Sequence, residues 1–242
     1  MNCIVKLSSL ILLCLLLFGS HDLYAADAET RQDIENLLRS ENLSIRNVDI
    51  LTKGLLLDAY EDHGFEPYWT NHDKIRELMG LISKASDHGL SPLDYNIEAL
   101  NQVLQRQQAR PSAEIEAEVD ILLTESLFRY AYHRRFGKVK ANELDPNINF
   151  RRELFHHQSP TKTLEQALES TSLTAFIEIL APTGPVYKQL QSKMKFYRDV
   201  AAKGGWATIP DGPTLHPGDS DPRVALVRQR LAKTHHIEAS QG

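Results

Sequence analysis

The segment from residue 112 to residue 136 carries apolar side chains around more than one face of a helix, and it limits the fold more than any other feature. Its apolar residues recur at intervals of three and four, and Gly137 supplies a stop signal. They are Ile115, Val119, Leu122, Leu123, Leu127, Tyr130, Ala131 and Phe136. Because a helix that is apolar over so wide an arc must be covered on several sides, we expect it at the centre of its domain.

Helical spacing also covers residues 71–88. Asn71 is a suitable N-cap, and Gly89 suits the left-handed position after a helix end, with Leu90 as its apolar partner. The apolar stripe between these signals predicts a helix that packs with one face on the core.

Further segments continue the helical pattern. One helix is expected to begin at Ser91-Pro92 and to run through Leu93 and Leu104. The others are expected at 163–171, at 173–180 and from Val186 to Ala201. Residues 43–51 alternate imperfectly and are the stretch that most resembles extended chain. The sequence therefore predicts an all-α, irregular multi-helix domain over residues 29–203.

The composition changes after this domain. Residues 204–218 are rich in glycine and proline, which is typical of a linker, and a helix over 222–233 follows with Asp221 as its cap. Val224, Val227 and Leu231 form its apolar stripe. Because one amphipathic helix cannot bury its stripe alone, it either docks on the helical domain or belongs to a module that the sequence cuts short.

The N-terminus predicts export. Lys6 precedes an apolar run from Leu7 to Phe18, and small-residue cleavage sites end at Ala25 or Ala28. Residues 1–25 are therefore interpreted as a signal peptide, with cleavage allowed as far as residue 28, and the protein is expected in the periplasm. A run of about a dozen apolar residues is shorter than the ~20 that span a bilayer, so an uncleaved anchor is the weaker alternative.

Both cysteines, Cys3 and Cys14, lie within the predicted signal peptide. The exported chain would therefore have no disulfide, no thiolate nucleophile and no cysteine-based zinc site, and we expect no cofactor. Loss of Lys6 and Asp22 leaves the formal charge at -5, which does not favour a nucleic-acid partner. The basic run at 133–140 is interpreted as a solvated helix end, with an anion contact to envelope polymers or phospholipid as the alternative.

Candidate chemical motifs are weak. Ser159-Pro160-Thr161-Lys162 matches the S-x-x-K pattern of penicillin-binding enzymes, but the S-D-N and K-T-G partners are missing and the serine is expected in a loop. The adjacent histidines 156–157 and 235–236 cannot share a helix face as a chelating pair. Scattered carboxylates would permit a glycosidase pair, which no pattern favours. We therefore assign no catalytic, metal or cofactor-binding residue, and the ligand-binding residues are unknown.

Aromatic residues raise a second question about binding. Phe65, Tyr68 and Trp69 precede the cap at Asn71, and Trp206 begins the linker. Such rings stack on sugars when they are exposed, whereas at a helix start they more often close the hydrophobic staple. The staple is the preferred interpretation.

Five strings then occur in a distinctive order. They are GFEPYWTN (64–71), HGLSPLDY (88–95), LLTESLFRYAYHRRFGKV (122–139), LDP (144–146) and KFYRDVAAKGGWATIPDGPTLHPGDSDPRVALVRQRLA (195–232). Their order resembles the scaffold domain of large periplasmic L,D-transpeptidases and covers nearly the whole exported chain. In that family a Gly-Gly-Trp turn and a proline-bearing linker lead into a peptidoglycan-binding repeat.

The resemblance extends into the opening of that repeat, over residues 219–242. The matching residues are Gly218, Asp219, Asp221, Arg223, Val224, Val227, Arg228, Arg230 and Leu231. Asp221 is expected to cap, Arg223 to be exposed, and the three apolar residues to pack. The repeat is expected to be truncated, with one helix present.

The resemblance implies a place in peptidoglycan cross-linking and cell-wall remodelling. Family members carry a Ser-His-Gly-Cys motif whose cysteine makes 3-3 cross-links, and this string is absent here. The chain alone is therefore expected to be inactive. Its expected partners are peptidoglycan, through the complete protein, and cell-wall synthesis proteins. The alternative is a non-catalytic helical periplasmic protein that binds peptidoglycan or partner proteins.

Overall fold

A computed structural model describes residues 28–139 and 159–238. The predicted signal peptide lies outside these residues, as do His156, His157 and the LDP string. Within the described residues the fold is all-α, apart from one hairpin of two short strands, as the sequence predicts.

The elements up to the central helix follow in close succession. Helix α1 covers 28–39, and a hairpin pairs β1 (Ser44–Ile45) with β2 (Val48–Asp49). They are followed by α2 (Lys53–Asp62), α3 (His72–Ser83), two 3₁₀ turns (Ala85–His88 and Pro92–Tyr95), α4 (Ile97–Ala109) and α5 (Ala113–Phe136). The later helices are α6 (Pro160–Glu169), α7 (Leu173–Leu180), α8 (Pro185–Ala202) and α9 (Pro222–Lys233).

Helix α5 is the centre of the domain, as its wide apolar arc predicts. Ser112 caps its start by accepting a hydrogen bond from the Ile115 amide at 3.3 Å, and Gly137 ends it with a φ of 76°. Helices α2, α3, α4 and α7 all pack on α5. The largest buried side chains of the core include Tyr60, Tyr95, Tyr130, Leu56, Leu78, Leu100, Ile121 and Leu122.

The prediction of extended chain at 43–51 is confirmed as an antiparallel hairpin. Ile45 faces Val48 in the register, and Arg46 and Asn47 form the two-residue turn. Both turn residues have positive φ, 53° and 62°, as the tight turn that suits twisted strands requires. Ile45 is buried, so the hairpin has one face on the core.

The helix predicted over 71–88 is shorter than expected. Asn71 caps α3 by accepting from the Asp73 amide at 2.9 Å, but the α-helix stops at Ser83 and a 3₁₀ turn completes the segment. Gly89 is left-handed with a φ of 75°, and the Leu90 amide bonds back to the Ala85 carbonyl at 3.2 Å. The predicted glycine signal is therefore confirmed.

The single helix predicted from Ser91 through Leu104 is wrong. Asn96 has a φ of 56°, and this left-handed residue separates the 3₁₀ turn from α4. Ser91 makes no side-chain cap, and Leu93 is 65% exposed instead of lying on a buried stripe. Helix α4, which follows this break, packs on α5.

The chain separates by its internal contacts into two units, Met1–Pro182 and Thr183–Gly242. Helix α8 is thus grouped with the residues that follow it. The predicted limits of the helical domain, linker and repeat remain predictions.

Candidate functional surfaces of the helical domain

Several polar residues of α5, among them Asp120, Thr124 and Glu125, are buried within the domain. Asp120 is 4% exposed and accepts hydrogen bonds from the backbone amides of Tyr68 (3.1 Å) and Trp69 (2.8 Å). Its carboxylate also accepts from the Tyr60 hydroxyl, and Thr124 receives the Trp69 indole N–H at 2.9 Å. This group of side chains fixes the chain segment between α2 and α3 on α5.

Burial raises the pKa of Asp120 to about 6, and the hydrogen bonds from Tyr60, Trp69 and Tyr68 partly oppose this shift. Burial, with the nearby Asp120 charge, also raises the pKa of Tyr60 well above its usual value. Tyr60 is therefore protonated at neutral pH and acts as a donor.

Glu125 lies about one turn further along α5 and is fully buried. It accepts hydrogen bonds from the amides of Leu51 (3.3 Å) and Thr52 (3.1 Å) and from the Thr52 hydroxyl. Arg129 lies 3.6 Å from the same carboxylate. Thr52 precedes α2 and does not cap it with its own side chain, so the negative charge of Glu125 supports that helix start. A signal for both acids exists in the sequence, because each interrupts the wide apolar arc of α5.

The basic run at 133–140 is not a uniformly solvated helix end. Arg134 is buried and donates to Glu178 of α7 at 2.7 Å, and His133 bonds the Tyr95 hydroxyl at 3.0 Å. Exposed Lys138 donates to Asp94 at 2.7 Å. The solvated interpretation is wrong for Arg134, whose charge joins α5 to α7.

The aromatic residues near Asn71 belong to the core. Tyr68 and Trp69 are buried, and the Tyr68 hydroxyl donates to the Ala59 carbonyl at 2.9 Å. His63 stacks on the Tyr68 ring with centroids 4.1 Å apart. These rings are therefore occupied by packing within the domain, and the hydrophobic staple itself stays a prediction.

The S-x-x-K string lies at a helix start, and not in a loop as expected. Helix α6 begins at Pro160, earlier than the predicted 163, and Ser159 accepts from the Lys162 amide at 3.2 Å as its cap. Ser159 is exposed, while Thr161 donates to Asp62 at 2.9 Å. The serine oxygen therefore serves the helix end, which is a structural role.

A surface groove of about 390 Å³ lies between the hairpin turn and the start of α4. Three of its residues, Arg46, Asn47 and Asn96, have left-handed backbone conformations. Arg46 bonds Glu118 of α5 at 2.6 Å, which fixes the turn. The lining combines apolar, amide and charged side chains, namely Val48, Leu93, Ile97, Ala99, Asn47, Asn96, Gln102, Arg46 and Glu98.

The residues matched to a repeat opening are only partly placed as expected. Asp221 caps α9 by accepting from the Arg223 amide at 2.8 Å, as predicted. Arg223 is not freely exposed, because its guanidinium donates to Asp221 and, at 2.9 Å, to the Pro213 carbonyl. Leu231 is exposed instead of packed, whereas Val224 and Val227 are half-buried.

Trp206 stands beside Tyr197, with ring centroids 6.4 Å apart, and Arg230 lies 4.8 Å from its ring centre. His235 lies against Phe196 at 4.9 Å, and His236 bonds the Thr234 hydroxyl at 2.7 Å. Each of these two histidines thus has its own partner within the C-terminal unit.

The described residues contain neither a cluster of metal ligands nor a membrane-spanning helix. Among them, no three histidine, cysteine or acidic residues are grouped in a way that would hold a metal ion. Over the same part of the chain, no helix has the length and hydropathy needed to cross a membrane.

Comparison with known proteins gives one match. A family model described as "Scaffold domain" matches residues 54–194, which is more than half of the chain. The match begins within α2 and includes α5, α6 and α7. No curated protein and no solved structure matches the sequence.

Proposed function

The chain belongs to the scaffold-domain family of the L,D-transpeptidases, and on this premise we propose that its helical domain is a non-catalytic scaffold in peptidoglycan cross-linking and cell-wall remodelling. The export signal proposed for residues 1–25 would deliver it to the periplasm, where peptidoglycan is remodelled. The resemblance beyond residue 203 to a peptidoglycan-binding repeat belongs to the same proposal.

The observation that carries this proposal is the use of polar side chains on α5. Asp120, Thr124 and Glu125 are buried and bond to residues 51–52, 60 and 68–69. Arg134, near the end of the helix, bonds Glu178 of α7. Because these hydrogen bonds join neighbouring helices and loops to α5, they favour a domain that acts as a scaffold for other parts of the protein.

The second part of the proposal is that this chain does not transfer acyl groups by itself. The family's reaction uses a cysteine thiolate, and the cysteines of this chain are at positions 3 and 14 of the proposed signal peptide. Removal of residues 1–25 would leave residues 26–242 without a thiol.

Incubation with a disaccharide-tetrapeptide substrate tests this directly. Purified residues 26–242 should give no 3-3 cross-linked dimers by mass spectrometry, while an active L,D-transpeptidase under the same conditions should produce them. Dimers formed by residues 26–242 would show a nucleophile other than cysteine, and they would contradict the non-catalytic assignment.

A second candidate function is direct binding of peptidoglycan or of a partner protein, and the groove beside α4 favours it. Its amide side chains can both donate and accept hydrogen bonds, which suits glycans and peptides, and exposed Leu93 offers an apolar contact. Sedimentation with purified sacculi should then be weakened by Gln102→Ala. The matched control is Gln166→Ala, an exposed glutamine on α6 away from the groove. Equal sedimentation of both variants and the parent would exclude the groove as a wall-binding site.

A further inference from the structure

Helix α8 presents an apolar stripe to solvent. It is 18 residues long, and none of its side chains is buried. At 3.6 residues per turn, one face carries Val186, Leu190, Met194, Tyr197 and Ala201. Val186 is 67% exposed and Leu190 is 64% exposed. We propose that this stripe is a binding surface for an anionic phospholipid bilayer, on which α8 lies parallel to the membrane plane.

The charge of the helix supports an anionic target. Helix α8 contains four basic residues, Lys188, Lys193, Lys195 and Arg198, against the single acid Asp199. Lys193 and Arg198 flank the stripe on its two sides, while the other charges lie opposite. Residues 183–242 carry nine Lys and Arg against five Asp and Glu, a net charge of +4 in a chain whose total is -5. The positive charge is thus concentrated in the unit that exposes the stripe.

The aromatic residues are also of the kind found at membrane interfaces. Tyr187 and Tyr197 lie on or beside the stripe, and Trp206 follows the helix with its ring near Tyr197. Tyrosine and tryptophan combine an apolar ring with a polar atom and are enriched at the headgroup level. A helix with an apolar face, basic flanks and low overall hydropathy is typical of interfacial binding.

A second copy of the chain is a poorer occupant of this stripe. Packing two α8 helices face to face would bring the flanking Lys193 and Arg198 of both copies together, and such like-charge contacts are unfavourable. In a bilayer that contains phosphatidylglycerol, the anionic headgroups neutralise these charges and the acyl chains contact the apolar side chains. Each basic residue near such a surface strengthens binding about fivefold.

Vesicle flotation tests the proposal with residues 26–242, which include every residue that the structure describes and exclude the apolar run at 7–18. The protein should float with phosphatidylcholine vesicles that contain phosphatidylglycerol and should not float with phosphatidylcholine alone. High salt should weaken binding, because charge contributes to it.

Paired variants separate the stripe from general charge. Leu190→Asp should reduce binding at least about tenfold, because it places a charge in the apolar contact. Ser192→Asp adds the same charge on the opposite face and should have much less effect. Lys193→Glu should reduce binding more than Lys188→Glu, which makes the same charge change away from the stripe. Circular dichroism establishes that each variant is folded before its binding is compared.

Three results would overturn the proposal. The first is absence of flotation with phosphatidylglycerol vesicles, and the second is equal binding by both members of each pair. The third is a protein that does not bind vesicles but forms a concentration-dependent dimer in sedimentation velocity, when Leu190→Asp abolishes that dimer. This result would assign the stripe to a second copy of the chain. These results are independent of whether the helical domain is a transpeptidase scaffold.

Discussion

Glu125, in the middle of α5, accepts a hydrogen bond at 3.1 Å from the backbone amide of Thr52, the residue that precedes α2. The two residues are 73 positions apart, and the carboxylate is fully buried. A distant helix therefore supplies the acceptor that the N3 residue of a capping box would otherwise provide for the N-cap amide.

Glu125→Gln should lower the free energy of unfolding by about 1–3 kcal/mol, because the amide nitrogen of glutamine would face backbone donors that the carboxylate now accepts. Urea unfolding measures the change. Exposed Glu114 in the first turn of the same helix is the control, and Glu114→Gln should change stability by less than about 1 kcal/mol. Equal effects would show that the buried hydrogen bonds do not stabilise the fold.

Asp120 should make stability depend on pH. Its pKa is raised from 3.8 to about 6 in the folded protein, so the folded state holds its proton more tightly than the unfolded chain. The resulting stabilisation is complete below pH 3.8 and is lost as the pH rises through 6, an effect of about 3 kcal/mol.

The Asp120→Asn variant cannot titrate at this position. The free energy of unfolding of the parent, minus that of the variant, should therefore decrease by up to about 3 kcal/mol between pH 4 and pH 7. Asp58→Asn makes the same chemical change at an exposed acid of α2 and is the matched control. A difference for Asp120→Asn that stays constant over this range would exclude a raised pKa at Asp120.

Leu122→Ala should destabilise the domain by about 2–5 kcal/mol, because it leaves a cavity beside the central helix. Leu93→Ala removes the same atoms from an exposed side chain and should cost less than about 0.5 kcal/mol. Chemical unfolding of the two variants tests both the central position of α5 and the exposed position of Leu93. A large loss from Leu93→Ala would place that residue in a buried stripe.

Asn96→Ala should destabilise the protein by about 1 kcal/mol, since alanine is disfavoured at a positive φ of 56°. Asn101→Ala, the same change at an exposed position inside α4, should be neutral or slightly stabilising because alanine is a better helix former. Asn96→Ala should therefore lower the midpoint temperature of thermal unfolding, whereas Asn101→Ala should leave it unchanged or raise it. A shift in the same direction would argue against the break between the 3₁₀ turn and α4.

Local signals predicted much of this fold from the sequence. The wide apolar arc identified α5 as central, and the predicted caps at Asn71 and Asp221 each act through a residue two positions away. The break at Asn96 was not predictable from spacing, because Leu93 fits the same helical pattern as Ile97, Leu100 and Leu104. The backbone amides that donate to Asp120 and Glu125 lie at least 51 positions earlier in the chain, so only the folded arrangement identifies them.

The two carboxylates of α5 should also slow the exchange of particular backbone amide protons with solvent. The amides of Leu51, Thr52, Tyr68 and Trp69 lie outside the regular helices, where exchange is usually fast, yet they bond to Glu125 and Asp120. Their exchange requires α5 to separate from these segments. Hydrogen–deuterium exchange should therefore show protection at these four loop amides comparable to that of the core helices, so that they report the opening of the whole domain.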